Sequence, residues 1–303
     1  QREALDTVER NARVQTQLVN DLLDVSRIVA GTMPTSFDQR PGLRKFISTA
    51  CPAVVSFVEK YHPALVPNLA PIVSPMVAEA RVIKELYGKD VKVVFIGPCV
   101  AKKGETGRHR EDLDESITFT ELRAMCKEAG VDRNTALDSQ FDPPYPAKGV
   151  LYPMGGGLLN SAELEEDLLS GRFLSAEGLE QFPEVLKNLE HGDIDADFID
   201  LLCCSGCIMG PGISVKTSKH AREAALRRYA RKSYFSIKLS DWEASVKRFR
   251  GLDYSASFQA EDQRMQLPAG DAQRVLGLAH AGVFQGGHYA VVDLIEQGRL
   301  API

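Results

Sequence analysis

Five of the six cysteines of this 303-residue chain fall in three short glycine- and proline-marked turns, and that placement limits the possible fold more than any other feature. The turns read Thr49-Ala50-Cys51-Pro52, Gly97-Pro98-Cys99-Val100-Ala101-Lys102-Lys103 and Cys203-Cys204-Ser205-Gly206-Cys207-Ile208-Met209-Gly210-Pro211-Gly212. Thiolates on tight turns, with Lys102 three residues past Cys99, suit an iron–sulfur site. Sulfur holds the iron, while nearby N–H groups and cations offset the negative charge of the cluster. Cys203 or Cys204 could pair with Cys207 on one metal, but Cys51 and Cys99 lie far upstream. A structural zinc module usually draws on two local pairs, so this spread favours a cluster buried between elements. Zinc, or thiols that serve only as small buried hydrophobes, remain the alternatives. Cys126, beside Leu122 and Met125 on the apolar side of its helix, reads as core.

The turns sit in an alternating texture. Val91–Ile96 reads as a strand with Cys99 just past its end, and Phe198–Leu202 as another that feeds directly into Cys203. Residues 76–87 read as a helix closed by Gly88, and Thr118-Phe119-Thr120-Glu121 as a capping box opening a helix that stops at Gly130. Gly149 to Tyr152 reads as a short strand before the run Gly155-Gly156-Gly157, and residues 218–232 as a basic helix. Alternating strands and helices predict an α/β fold with a mostly parallel sheet flanked by helices. Ligands then belong at the carboxyl ends of the strands.

Upstream, Leu5, Val8, Ala12, Leu18, Leu22, Val25 and Val29 recur at helical spacing, predicting one long helix over 3–30 that Gly31 and Pro34 end. The segments expected are 1–33 as this helix, 34–42 as a linker, 43–255 as the cysteine-bearing domain and 265–303 as an unassigned tail containing His280 and His288.

A net charge of −5 gives no overall basic field for nucleic acid, and the basic run Lys219 to Lys232 reads as a solvated helix face. No apolar run approaches the roughly 18 residues of a membrane span, and residues 1–4 start no signal-peptide core. The expectation is a cytoplasmic protein, where clustered cysteines more often bind metal than form disulfides.

The three turns together resemble, in order, the signature loops of the large catalytic domain of iron-only ([FeFe]) hydrogenases, which carries the H-cluster. Ser48-Thr49-Ala50-Cys51-Pro52 is similar to the first loop, Gly97 through Glu105 to the second and Cys203 through Gly212 to the third, and Glu59-Lys60-Tyr61-His62-Pro63 through Ser74-Pro75 is also family-like. The resemblance covers about residues 43–255. It implies a two-lobed domain, here with part of one lobe missing. It also implies a [4Fe–4S] cluster on Cys51, Cys99, Cys203 and Cys207, with Cys207 bridging to a diiron subsite bearing CO and cyanide. By the same resemblance Lys102 holds one cyanide, Ser74 with the Pro75 turn holds the other, and Glu105 completes the second motif. The reaction implied is reversible reduction of protons to hydrogen, with a protein electron donor such as ferredoxin. The helix over 3–30 resembles the second helix of a histidine-kinase dimerisation domain, which implies a homodimer, although no histidine precedes His62.

The chain departs from that pattern at telling positions. Active enzymes carry a proton-relaying cysteine before the first ligand, where Ala50 stands here. Gly97 and Leu201 replace methionines, and Cys204, a candidate substitute relay, replaces a proline. Proton transfer needs a donor within hydrogen-bond reach, so the expectation is a low-turnover hydrogen or redox sensor. An active hydrogenase using another proton route, a zinc or structural protein, and a truncated or rearranged gene product are the alternatives.

Overall fold

The computed structural model of the protein describes residues 45–131, 141–144, 147–162, 171–213, 215–236, 244–245 and 247–263. The helix expected over 3–30, the linker 34–42 and the tail 265–303 lie outside these residues.

Two parallel sheets carry the cysteine turns. The first has the order β1 (Phe46–Ile47), β5 (Phe198–Leu202), β4 (Phe173–Glu177), with Ile47 beside Ile199 and Glu177 beside Leu202. Its middle strand is nearly all apolar, as a strand covered on both faces must be: Ile199, Asp200, Leu201 and Leu202 are all buried. The second sheet pairs β2 (Val94–Gly97) with β3 (Glu115–Thr118), Val94 beside Glu115 and Gly97 beside Thr118. Cys51, Cys99 and Cys203 each come one to four residues after a strand ends, so all three turns leave carboxyl ends of parallel strands. The α/β, parallel-sheet expectation is borne out.

Each sheet has its own core. Around the first, Val54, Val55 and Val58 of α1 (Pro52–Tyr61) and Phe182, Leu186 and Leu189 of α6 (Gln181–His191) close on Ile47, Ile199 and Leu201. Cys51 belongs to this core, and Cys203 and Cys207 pack against it. Around the second, Met76, Val77 and Ala80 of α2 (Pro75–Tyr87) meet Val93 and Leu113. Parallel strands need crossover helices, here α2 and α3 (Ala101–Arg108) on the second sheet's side, and α6 between β4 and β5. Thr49 Oγ1 donates to Ile72 O at 2.7 Å and Ala70 N to Ile47 O at 2.9 Å, tying the first turn to the segment that enters α2.

Three local expectations are corrected. The stretch Gly149 to Tyr152 is not a strand: ahead of the short helix α5 (Gly157–Ser161), Ala147–Leu151 forms a 3₁₀ turn, and Tyr152 N finds Gly149 O at 3.1 Å. Its backbone groups are satisfied locally, so no ladder partner is needed. The strand expected over 91–96 begins at Val94, because Val91 N is still bonded back to Gly88 O. Cys126 is not core: α4 (Phe119–Glu128) has no buried residue, Met125 is 54% exposed and Cys126 is half-buried. The helix rests on a sheet of only two strands, which offers too little surface to cover an apolar side.

The capping box opening α4 is present, with Thr118 Oγ1 accepting from Glu121 N at 3.2 Å and Glu121 Oε2 accepting from Thr118 N at 2.7 Å. Lys103, then Thr118, hold the Glu121 carboxyl down at about 2. The stabilisation this gives is fully present above the ordinary carboxylate range and is lost as pH falls towards about 2. Thr118→Ala is expected to cost about 1 kcal/mol in urea unfolding at neutral pH. A change indistinguishable from zero would mean that α4 docks independently of its cap.

Candidate metal centre

Cys51 sits immediately before α1, whose first residue is Pro52, at the place where helical N–H groups lack intrahelical acceptors. The N–H groups of Cys203, Val54 and Ala53 face its sulfur and favour the thiolate, against burial, which pushes the thiol up overall. None of the helix N–H groups makes a formed cap bond to the side chain. The Cys203 N–H joins the first turn to the third, although 152 positions separate the two residues (203 − 51).

The second and third turns meet through backbone. Gly212 N donates to Pro98 O at 2.8 Å and Thr120 N to Gly212 O at 3.1 Å. A Cβ on Gly210 would lie 2.6 Å from Pro98 O, so only glycine permits this approach. Cys99, beside Pro98, is thereby brought to Cys203 and Cys207. Burial and then neighbouring thiols raise Cys203 to about 12, with Cys51, Cys204 and Cys99 all contributing. Cys207 is also raised to about 12, by burial and then by Cys51 and Cys99, with Lys102 pulling the other way. The Cys204 thiol is raised by burial and then by Cys51 and Cys99. Five thiols thus share one region, and burial favours the protonated form at Cys51, Cys203, Cys204 and Cys207. A metal or cluster binding them would have to displace those protons.

Among the described residues, the one group of three or more ligand atoms all within 4.8 Å of one another is His109, Glu111 and Asp112, with Arg81 Nε already 3.0 Å from Asp112 Oδ2. No three cysteine sulfurs come that close. Thiolates sharing one zinc ion at a Zn–S distance of about 2.3 Å stand roughly 3.8 Å apart by tetrahedral geometry. The cysteine sulfurs thus stand further apart than one zinc ion would hold three of them.

Lys102 is 8% exposed, not the surface lysine that its neighbour Lys103 is. Its Nζ donates to Glu105 Oε2 at 2.7 Å, to Ser74 Oγ at 2.9 Å and, more weakly, to Ala50 O at 3.4 Å. Ser74 precedes α2, whose first residue is Pro75, but its hydroxyl serves Lys102 instead of capping its own helix. The residues singled out in the sequence therefore come together: Cys51, Cys99, Cys203, Cys204 and Cys207 as thiols, and Lys102, Ser74, Glu105 and the Pro75 turn beside Ala50. A cavity of about 850 Å³ lies on the Ser74 and Glu105 side of this group, lined also by Thr49, Arg108 and His109 but by none of the cysteines.

Sequence reasoning missed three residues at the third turn. Arg222, placed on a solvated face, donates from Nη1 to Ile208 O at 2.7 Å. Lys219 pairs with Glu177 at the end of β4. The one available signal was that Lys219 and Arg222 recur three apart in the first turn of α7 (Lys219–Ser236), a few residues after Gly212.

The comparisons with known proteins agree with this arrangement. Iron hydrogenase 1 of Clostridium pasteurianum is 32% identical over 131 residues, covering 38% of this chain and 23% of that protein. The periplasmic [Fe] hydrogenase large subunit of Nitratidesulfovibrio vulgaris is 24% identical over 213 residues, 54% of this chain and 50% of that one. The cytosolic Fe-S cluster assembly factor nar1 of Penicillium rubens is 27% identical over 175 residues, 46% of this chain and 29% of its own length. The chain thus spans at most about half of these curated relatives. Among solved structures, an [FeFe]-hydrogenase studied for oxygen inactivation of its H cluster superposes with a TM-score of 0.58 at 17% identity, over 82% of this chain and 83% of that one. A variant of apo [FeFe]-hydrogenase HydA1 from Chlamydomonas reinhardtii gives 0.56 at 18% identity, over 82% and 83%. These two likenesses show the fold alone. The family model described as iron only hydrogenase large subunit, C-terminal domain, matches residues 30–211, more than half of the chain, so the chain belongs to that family.

Proposed function

We propose that the protein binds a [4Fe–4S] cluster through Cys51, Cys99, Cys203 and Cys207 and works as a low-turnover sensor of hydrogen or redox state. The observation that carries this reading is the gathering of these four thiols, from three turns at the ends of parallel strands, into one region where Cys99 acts on Cys51, and both act on Cys203 and Cys207. The donor set fits: four thiols from three turns, helix N–H groups facing Cys51, and one buried cation. With the diiron part present as well, Cys207 would bridge to it, and the complete H-cluster would supply reversible reduction of protons to hydrogen.

The chain's own residues supply the surroundings. Lys102 keeps an ammonium inside the site because Glu105 balances it, both side chains being 10% exposed. Its longest contact, to Ala50 O, is the one a cyanide acceptor would replace most cheaply, and Ser74 with Pro75 would receive the second cyanide. Ala50 offers no proton at the position adjoining Cys51, which argues for sensing rather than turnover. Relatives named as cytosolic Fe-S cluster assembly factors support an iron–sulfur role that need not include hydrogen turnover. The proposed segments are the helix at 1–33, the linker at 34–42, the cluster domain at 43–255 and the tail at 265–303. The proposed partners are a second copy through the N-terminal helix and a ferredoxin-like electron donor, in a cytoplasmic setting. No described helix is long and apolar enough to cross a membrane.

The cavity reaching Ser74 and Glu105 favours a second reading, an active hydrogenase that takes protons through water instead of a cysteine. Both readings require iron. Anaerobic reconstitution should give about four iron and four sulfide per chain, with a broad charge-transfer absorption, and infrared bands of CO and cyanide if the diiron part enters. Pure protein that takes up zinc but no iron and sulfide would end both.

A further inference from the structure

Glu177 ends β4, and its register partner is Leu202, the residue before Cys203. Gly178 N donates to Leu202 O at 2.9 Å, so this strand end is fixed against the start of the third turn. One carboxylate oxygen of Glu177, Oε1, pairs with Lys219 Nζ at the first residue of α7. The other, Oε2, is buried and has no hydrogen-bond partner among the described residues. A Cβ on Gly206, the residue before Cys207, would lie 3.5 Å from Oε2, and a Cβ on Gly155 would collide with it. The carboxylate therefore lies between the glycine run and the cysteine turn. Arg222 grips the same turn through Ile208 O, so the basic helix begins on the turn's other flank.

A buried carboxylate oxygen without a donor is costly. Lys219 offsets only the Oε1 side of the carboxylate. Charges in such a poorly solvated position act on their neighbours far more strongly than surface charges do. Net charge and hydrogen bonding around the sulfurs are what set the reduction potential of an iron–sulfur centre.

We propose that Glu177 and Lys219 are positioning residues that set the reduction potential of the centre at the Cys203–Cys207 turn, Glu177 lowering it and Lys219 raising it. This rests on the iron–sulfur reading above and extends it: in a sensor, the pair fixes the potential at which the centre changes state. Ala50 removes a reaction step, whereas this pair adjusts a threshold.

The test is a redox titration of the reconstituted full-length chain, followed by absorption and electron paramagnetic resonance, for wild type, Glu177→Gln, Lys219→Met and the double variant. Glu177→Gln should raise the reduced-to-oxidised ratio at a fixed potential about tenfold, a positive shift of about 59 mV for one electron. Lys219→Met should shift it in the opposite direction, and the double variant should fall between the two. Iron per chain should stay at the wild-type value in all four. Shifts of the same sign in the two single variants, or no shift, would overturn the proposal, since a merely structural pair would not produce opposite signs. Should Glu177→Gln lose its iron, Lys219→Met decides alone, and a zero or positive shift there overturns it. Wild-type protein without iron would defeat the cluster reading itself, a result distinct from an iron-loaded wild type whose potential ignores both variants.

Discussion

Cys207→Ser is expected to lower iron in anaerobically reconstituted protein from about four per chain to a small residual fraction, and to abolish the charge-transfer absorption. The cause is geometric. Cys207 stands in the 3₁₀ turn Cys207–Met209, where Gly210 N bonds back to Cys207 O at 2.8 Å and Ile208 N to Pro153 O at 3.1 Å. The turn is held by backbone contacts that a serine leaves intact, so the variant should fold and simply lack the sulfur. A hydroxyl is a harder and far less acidic donor than a thiol and is a poor substitute in a cluster site. Cys126→Ser supplies the control: Cys126 lies on the outlying helix α4, and its loss should leave iron unchanged. Cys204→Ser tests the remaining ambiguity, because Cys204 is as close in sequence to Cys207 as a zinc or cluster pair would be. Unchanged iron in Cys204→Ser together with loss in Cys207→Ser assigns the ligand. Equal iron in wild type and Cys207→Ser would remove Cys207 from the donor set.

The cysteine turns were legible in the sequence because they are local. Each is a few residues of glycine, proline and cysteine next to an apolar strand, and spacing alone places such turns at strand ends. That these turns converge is a long-range fact. It depends on Gly210 and Gly212 lying against Pro98 and on the Cys203 N–H facing Cys51, which no periodicity reports. The burial of Lys102 was signalled by its place three residues past Cys99 and by the family-like motif, although the residue types around it, Ala101-Lys102-Lys103-Gly104, look like a surface helix. The Cys126 reading failed for an instructive reason. The spacing of Leu122, Met125 and Cys126 is that of an apolar helix face, but a face is buried only if the sheet beneath it is wide enough. Glu177 and Lys219 lay beyond reach as well. They are 42 positions apart (219 − 177), meeting only because a strand end and a helix start flank the same turn.

Ala50→Cys is expected to turn a nearly inactive, fully loaded protein into one that evolves hydrogen from a reduced dye about 10²–10⁴ times faster, the usual contribution of a positioned proton donor. Ala50 is half-buried between Thr49, whose hydroxyl is fixed on Ile72 O, and Cys51, whose O begins α1 by accepting from Val55 N at 3.0 Å. Its own N–H is directed at Ser48 Oγ at 3.3 Å, and its O faces Lys102 Nζ at 3.4 Å. The backbone at this position is therefore set by its neighbours, and a thiol can be added on the alanine Cβ without rebuilding the turn. Ala50→Ser separates proton transfer from packing: it is of similar size but lacks the acidity of a thiol, and should recover much less of the rate. Gas chromatography of evolved hydrogen, with infrared bands of CO and cyanide to verify equal loading, measures the effect. If the unaltered protein already evolves hydrogen quickly and Ala50→Cys changes the rate less than about threefold, protons already reach the centre without a thiol at position 50. The cavity lined by Ser74 and Glu105 would then be the candidate route, and sensing would give way to catalysis as the function of this site. If both proteins are slow at equal loading, the block lies beyond the missing thiol, and a single substitution at position 50 cannot relieve it.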